Sequence, residues 1–199
     1  MLRARSARLG ELRRPAGDIG DLTADLGSLI RAREETRRLA DRLVGRAIPS
    51  LLLSSSHGNT VDLERYARRS VAIYLYPGAN SSPDGGEDSP MVDSAQQRGF
   101  AALEPDMSAL GLPVVGISTH SQDEQIDSAL ANHIRHALLS DPGLSLADEL
   151  GLPTFTNGAR RYRRLTIIAH GGRIGKVFYP VDGARNPAQV VAWAKVHGF

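Results

Sequence analysis

The chain contains no cysteine in its 199 residues. That absence excludes disulfide bonds, thiolate metal ligands and a thiol nucleophile together, whatever compartment the protein occupies. Lysine is almost missing as well: Lys176 and Lys195 are the only lysines among 24 basic residues, an arginine bias that a GC-rich bacterial genome produces without any functional demand. Basic and acidic residues nearly balance, 24 against 22, so the phosphate neutralisation that drives nucleic-acid binding has little to work with and no nucleic-acid partner is expected. No apolar run is long enough to span a bilayer. The basic start, MLRARSARLGELRR, suits an exposed arm and is not followed by the apolar stretch of a signal peptide, so a cytoplasmic location without a membrane partner is expected.

Other signatures are missing too. Gly78, Gly85 and Gly86 make no phosphate loop, because no Lys-Ser or Lys-Thr follows at the required spacing, and there is no G-x-S-x-G nucleophile elbow. His133 and His136 have an HxxH spacing but no evident third ligand, so neither a metal nor any other cofactor is expected. No internal repeat is visible.

What is present is an alternation of helix-like and strand-like segments. Leu22, Leu26, Leu29, Ile30, Leu39 and Leu43 predict one amphipathic helix over 19–44, which could break at Gly27, with Gly45 as its C-cap. Pro49 starts an extended segment through Leu51, Leu52 and Leu53, and His57, Gly58 and Asn59 make a turn. The unbroken apolar run VAIYLY over 71–76 reads as a strand buried on both faces, ending at Pro77. Residues 78–90, GANSSPDGGEDSP, are a long loop. Helices follow over 94–110, 121–132 and 144–150, with a second buried strand over 113–118, a short segment to Asp141 and a step at Leu152, Pro153, Thr154 and Phe155. Two strands over 164–169 and 176–179, joined by a His170-Gly171-Gly172 turn, precede a closing helix over 187–196.

Four stretches, AIYLYPG, VVGIST, LLSDPGLSLADELGLPTF and RRLTIIAHGGRIGKVFYPV running on to NPAQVVAWAK, together resemble the peroxiredoxin family over residues 45–197. The resemblance implies an α/β, thioredoxin-like fold with a central mixed β-sheet flanked by helices. It makes residues 1–44 an N-terminal helical extension and 45–199 the peroxiredoxin-like domain, and it implies a homodimer. In active members the loop after the Tyr-Pro strand leads into a helix whose first turn holds the peroxidatic cysteine, and some members carry a resolving cysteine five residues later. The matching stretch here is DSAQQRGF, which puts Asp93 at the first position and Arg98 at the second. Arg164 matches the arginine that helps activate the thiolate, and Pro77 the proline at the end of the active-site strand. A peroxidatic thiolate becomes a sulfenic acid by attacking a peroxide oxygen, which a carboxylate cannot do. The resemblance supplies the scaffold of a thiol peroxidase while the composition excludes its chemistry.

The candidate residues each carry an ordinary and a functional reading. Asp93 followed by Gln96 is a capping-box pattern, or a carboxylate in the old thiolate pocket able to move a proton. Arg164 is an ion-pair partner for it, or binds a substrate carboxylate or phosphate. His120 is a surface residue at a helix start, or lies at the sheet edge where open α/β folds place ligands. His133, Arg135 and His136 stand where related proteins have an apolar segment, near the expected active-site rim or dimer surface. Arg160, Arg161, Arg163 and Arg164 read as a solvated edge. Two functions follow. One is a repurposed enzyme acting on a small organic substrate, with Asp93, His120 and His136 in acid–base roles and Arg164, Pro77, Ser94 and Tyr76 on the substrate. The other is a non-catalytic pseudoenzyme with a binding or regulatory role. Both take a small-molecule ligand.

Overall fold

The computed structural model describes residues 19–78 and 90–198; the basic arm and the body of the 78–90 loop lie outside them. Helix α1 (Ile19–Leu43) runs through Gly27 without the break the sequence allows. The chain divides into two units within this helix, the second beginning at Glu35. Within the second unit Leu39 and Leu43 join the core. Gly45, at φ 86°, follows the helix in the left-handed region that a side chain disfavours.

Strands β1 (Leu52–Ser55) and β2 (Thr60–Asp62) form a hairpin around the expected His57-Gly58-Asn59 turn. Asp62 then caps the short α2 (Leu63–Ala67) by accepting from the Arg65 backbone N–H. Neither β2 nor α2 is long enough to show a periodicity in the sequence. The two expected buried strands, β3 (Val71–Leu75) and β4 (Val114–Ser118), are parallel neighbours. Between them the single expected helix is two, α3 (Pro90–Ala102) and α4 (Glu104–Ala109). Pro105 has no N–H to continue α3 but suits the first turn of a new helix after Leu103.

The chain continues through α5 (Gln122–Ala131), β5 (Leu138–Ser140), α6 (Ser145–Leu150), β6 (Thr154–Asn157), β7 (Ala159–Tyr162), β8 (Leu165–His170), β9 (Arg173–Phe178) and α7 (Asn186–His197). Seven strands form one sheet in the order β2-β1-β5-β4-β3-β8-β9, with β3, β4 and β5 parallel and the others antiparallel. This is the mixed, helix-flanked sheet of a thioredoxin-like fold; β6 and β7 pair separately.

The sheet separates two cores. Along β3, Val71, Ile73 and Leu75 enter an aliphatic core with Ile117, Leu139, Leu165 and Ile167, whereas Ala72 and Tyr74, followed by Tyr76, enter a second with Phe100, Met107, Val190 and Ala194. That alternation is the period of two of a pleated strand. Tyr74 lies across Gly116 of β4, where an added Cβ would sit 2.5 Å from the ring.

Candidate functional site

The C-terminal ends of β3 and β4 meet β7 at Arg161. Pro77 is buried, and its carbonyl accepts from Thr119 Oγ1 at 3.2 Å and from Arg161 at 3.4 Å. Arg161 also donates to Thr119 Oγ1 at 3.3 Å. Gly78 follows at φ 102°, so close to His120 that a Cβ would sit 2.8 Å from its Nε2. His120 is therefore no surface residue; it is 5% exposed. Its backbone N–H donates to Ser118 Oγ at 3.2 Å and its carbonyl accepts from Ser140 Oγ at 2.6 Å. Ser121, the next residue, takes the helix-start role through a capping box with Glu124. Burial holds the His120 imidazole below its ordinary pKa; Glu124 opposes this and Arg161 reinforces it. At neutral pH the ring is uncharged and can accept a proton.

Arg164, 4% exposed, lies just before β8. It donates to Gln96 Oε1 at 3.4 Å, Gln96 Nε2 donates to Asn186 Oδ1 at 3.2 Å, and that oxygen also accepts from Thr166 Oγ1 at 2.6 Å. Asn186 Nδ2 is buried with no hydrogen-bond partner among the described residues. The arginine run is thus only partly the solvated edge its composition suggests. Arg160 pairs with Asp148 at 2.6 Å and Arg163 lies 5.5 Å over the Phe155 ring, both exposed. Arg161 and Arg164 turn inward, since a carbonyl and a buried amide await them.

Asp93 sits inside α3, which begins at Pro90, so it does not cap that helix. Its side chain lies outside the described residues. Ser94 is half-buried on α3, and Arg98 donates to Asn132 Oδ1 at 3.0 Å on the exposed side. Tyr76 is fully buried, its hydroxyl donating to Gln125 Oε1, while Gln125 Nε2 donates to Ser118 Oγ and the Leu139 carbonyl.

His136 lies elsewhere. It is also 5% exposed, but it precedes β5, at the opposite end of the parallel β4 and β5 from His120. Its Nε2 shares a 2.9 Å hydrogen bond with the Tyr74 hydroxyl, and Nδ1 has no partner among the described residues. Burial, then the neighbouring His57, lower its pKa to about 4. Tyr74 stacks on Phe100 at 4.5 Å and on Tyr76 at 5.6 Å, so His136 docks against an aromatic core. His133 is exposed at φ 53°. Sequence reasoning missed the inward role of Arg161, the contact of Thr119 with Pro77, and Gln96 as the partner of Arg164. Among the described residues no group of three or more His, Asp or Glu could hold a metal ion, and no helix is long and apolar enough to cross a membrane.

The profile of the Redoxin family matches residues 43–192. The chain belongs to that family. Chloroplastic peroxiredoxin Q of Populus jackii is 25% identical over 134 residues, 67% of this chain and 59% of the poplar protein, so the redoxin spans less than two thirds of that relative. Peroxiredoxin Q of Xanthomonas campestris superposes with a TM-score of 0.66 at 20% identity, covering 79% of this chain and 99% of that one. A cysteine-to-serine mutant of PrxQ from Xylella fastidiosa gives 0.67 at 19% identity, with 78% and 97% covered. At such identities the likeness is one of fold. The redoxin keeps a peroxiredoxin fold and contains no cysteine, so a thiol peroxidase cycle has no nucleophile in it.

Proposed function

We propose that this redoxin is a repurposed, non-thiol enzyme that binds a small anionic organic molecule at the Pro77 end of the sheet, with His120 as general base and Asp93 as a second proton-handling group. One observation carries the reading: a buried, uncharged imidazole stands beside Arg161, on the strand ends that Arg164 also reaches. Guanidinium groups recognise carboxylates and phosphates, and a neutral imidazole takes a proton from what they hold. Pro77 and Gly78 give the site a wall, and Ser94 and Tyr76 stand on the elements that border it. The same reading takes the protein as a cytoplasmic homodimer of bacterial origin; a monomeric mass in light scattering would oppose that part.

A thermal-shift screen of small carboxylates and phosphate esters tests the site. One class should raise the Tm of the wild type and not that of Arg161→Ala, and turnover of that class should be lost in His120→Gln. Hydrogen peroxide with a thiol reductant should be consumed no faster than in a metal-free blank. A screen in which no anion shifts the Tm, or in which the shift survives loss of Arg161, rejects the proposal. A non-catalytic pseudoenzyme is favoured by the Arg164, Gln96, Asn186 and Thr166 chain, a buried hydrogen-bonded network that forms without a substrate. It predicts that Arg164→Met lowers stability and alters no ligand response.

A further inference from the structure

We propose that the redoxin carries a second ligand site at the other end of its parallel strands: a groove for an amphipathic anion, a carboxylate or phosphate monoester with an apolar body. The groove, about 1000 Å³, runs along α2 and the start of β3. It shares Asn59, Val61, Tyr66 and Pro113 with a smaller cleft of about 230 Å³ that reaches His136.

Charge supplies the first argument. Arg65, Arg68 and Arg69 line the groove and are exposed. Glu64 is paired with Arg68 at 3.5 Å, and Asp62 is occupied as the cap of α2. The side chains of Arg65 and Arg69 have no ion-pair partner among the described residues. Three guanidinium groups against the single carboxylate of Asp62 in the lining, two of them without an ion pair among the described residues, favour an anionic head. The apolar lining supplies the second. Leu52 is 73% exposed in the same groove, beside Val61 and Pro113, and a large aliphatic side chain open to water gains by being covered. The inner cleft has Tyr66 shared with the groove, His136, its Nδ1 unpartnered among the described residues, in its wall, and the carboxylate of Glu104, which directs an anionic head to the outer groove instead. The head belongs over Arg65 and Arg69, and the body over Leu52, Val61 and Pro113. None of these residues takes part in the site at Pro77, so this inference stands apart from the function proposed there.

Isothermal titration of the full chain with octanoate and octyl phosphate tests it, with inorganic phosphate and octyltrimethylammonium alongside. Both octyl anions should bind, inorganic phosphate more weakly by about tenfold or more, and the cation not at all. The Arg65→Ala/Arg69→Ala double variant should weaken the octyl anions by about tenfold, ~1.4 kcal/mol, and Leu52→Glu should act likewise, both with unchanged circular dichroism. In an Arg161→Ala background, where the Pro77 site no longer contributes, the octyl anions should still bind and the same losses should follow the Arg65 and Arg69 changes. No heat from either octyl anion at millimolar concentration, equal binding of the cation or of phosphate alone, or a double variant that binds as the wild type does, overturns the proposal.

Discussion

His120 and His136 are equally buried, both are held uncharged and each meets a tyrosine ring edge-on, but their rings have different polar partners. His120 has its backbone pinned by two serines and its ring set between Gly78 and Arg161, next to a carbonyl that already collects donors. His136 has its ring bonded to Tyr74, which is itself stacked in a layer of aromatic rings. Depressed basicity is common to both, so it does not mark function by itself. What separates them is the polar partner at the ring: the Arg161 guanidinium beside His120, which also meets Tyr76 edge-on at 6.1 Å, against the Tyr74 hydroxyl bonded to His136.

The sharpest way to break the comparison is Tyr74→Ala. It removes the ring that supports His136 and opens a cavity in the second core, and should cost about 3–5 kcal/mol in a denaturant titration, while an anion response at His120 persists in whatever remains folded. Next comes pH. Above pH 6.5 the His136 imidazole is neutral in both folded and unfolded chains and contributes nothing. As pH falls from 6.5 towards about 4 the unfolded chain takes up a proton that the folded one refuses, so stability declines, by on the order of 3 kcal/mol in all. His136→Gln should flatten that decline in urea midpoints measured across the window; an unchanged slope would show that the folded ring protonates freely.

Glycines sharpen the contrast further. Gly116→Ala pushes a methyl group into the Tyr74 ring, and Gly78→Ala pushes one into His120 from a backbone that disfavours side chains. Each should cost about 1–3 kcal/mol, but only Gly78→Ala should also shift the His120 titration followed by NMR. The smallest effect belongs to Arg160→Ala. Its pair with Asp148 is roughly half exposed on both sides, 46% and 58%, and its loss should change stability by less than about 1 kcal/mol, whereas Arg161, next in sequence, bonds to the Pro77 carbonyl and Thr119.

That neighbouring pair shows where sequence reading ends. The apolar run of β3 announces itself, because a strand buried on both faces needs no partner to be recognised. The residues around Arg161 give only charge. Its inward turn depends on the Pro77 carbonyl, 84 residues away, and Thr119, 42 residues away. His136 likewise reads as a departure from an apolar segment, and its meaning depends on Tyr74, 62 residues earlier. Pro105 was visible, but a proline inside a helical pattern does not say whether the helix kinks or restarts. The family scaffold and the succession of its main strands and helices were legible; the direction of individual polar side chains was fixed by contacts far away along the chain.

The Tyr74 ring over Gly116 has a consequence for how the parallel strands find one another. Every residue of β3 and of β4 is buried, so the two runs carry no contrast between an inner and a watered face by which to choose their alignment, and a slip along the ladder would expose nothing. The pairing of Tyr74 with Gly116 supplies the missing landmark. A shift by one position would bring Val115 or Ile117 opposite Tyr74 and draw the hydroxyl away from His136, so a bare backbone position works as the index mark that sets two otherwise featureless strands in register.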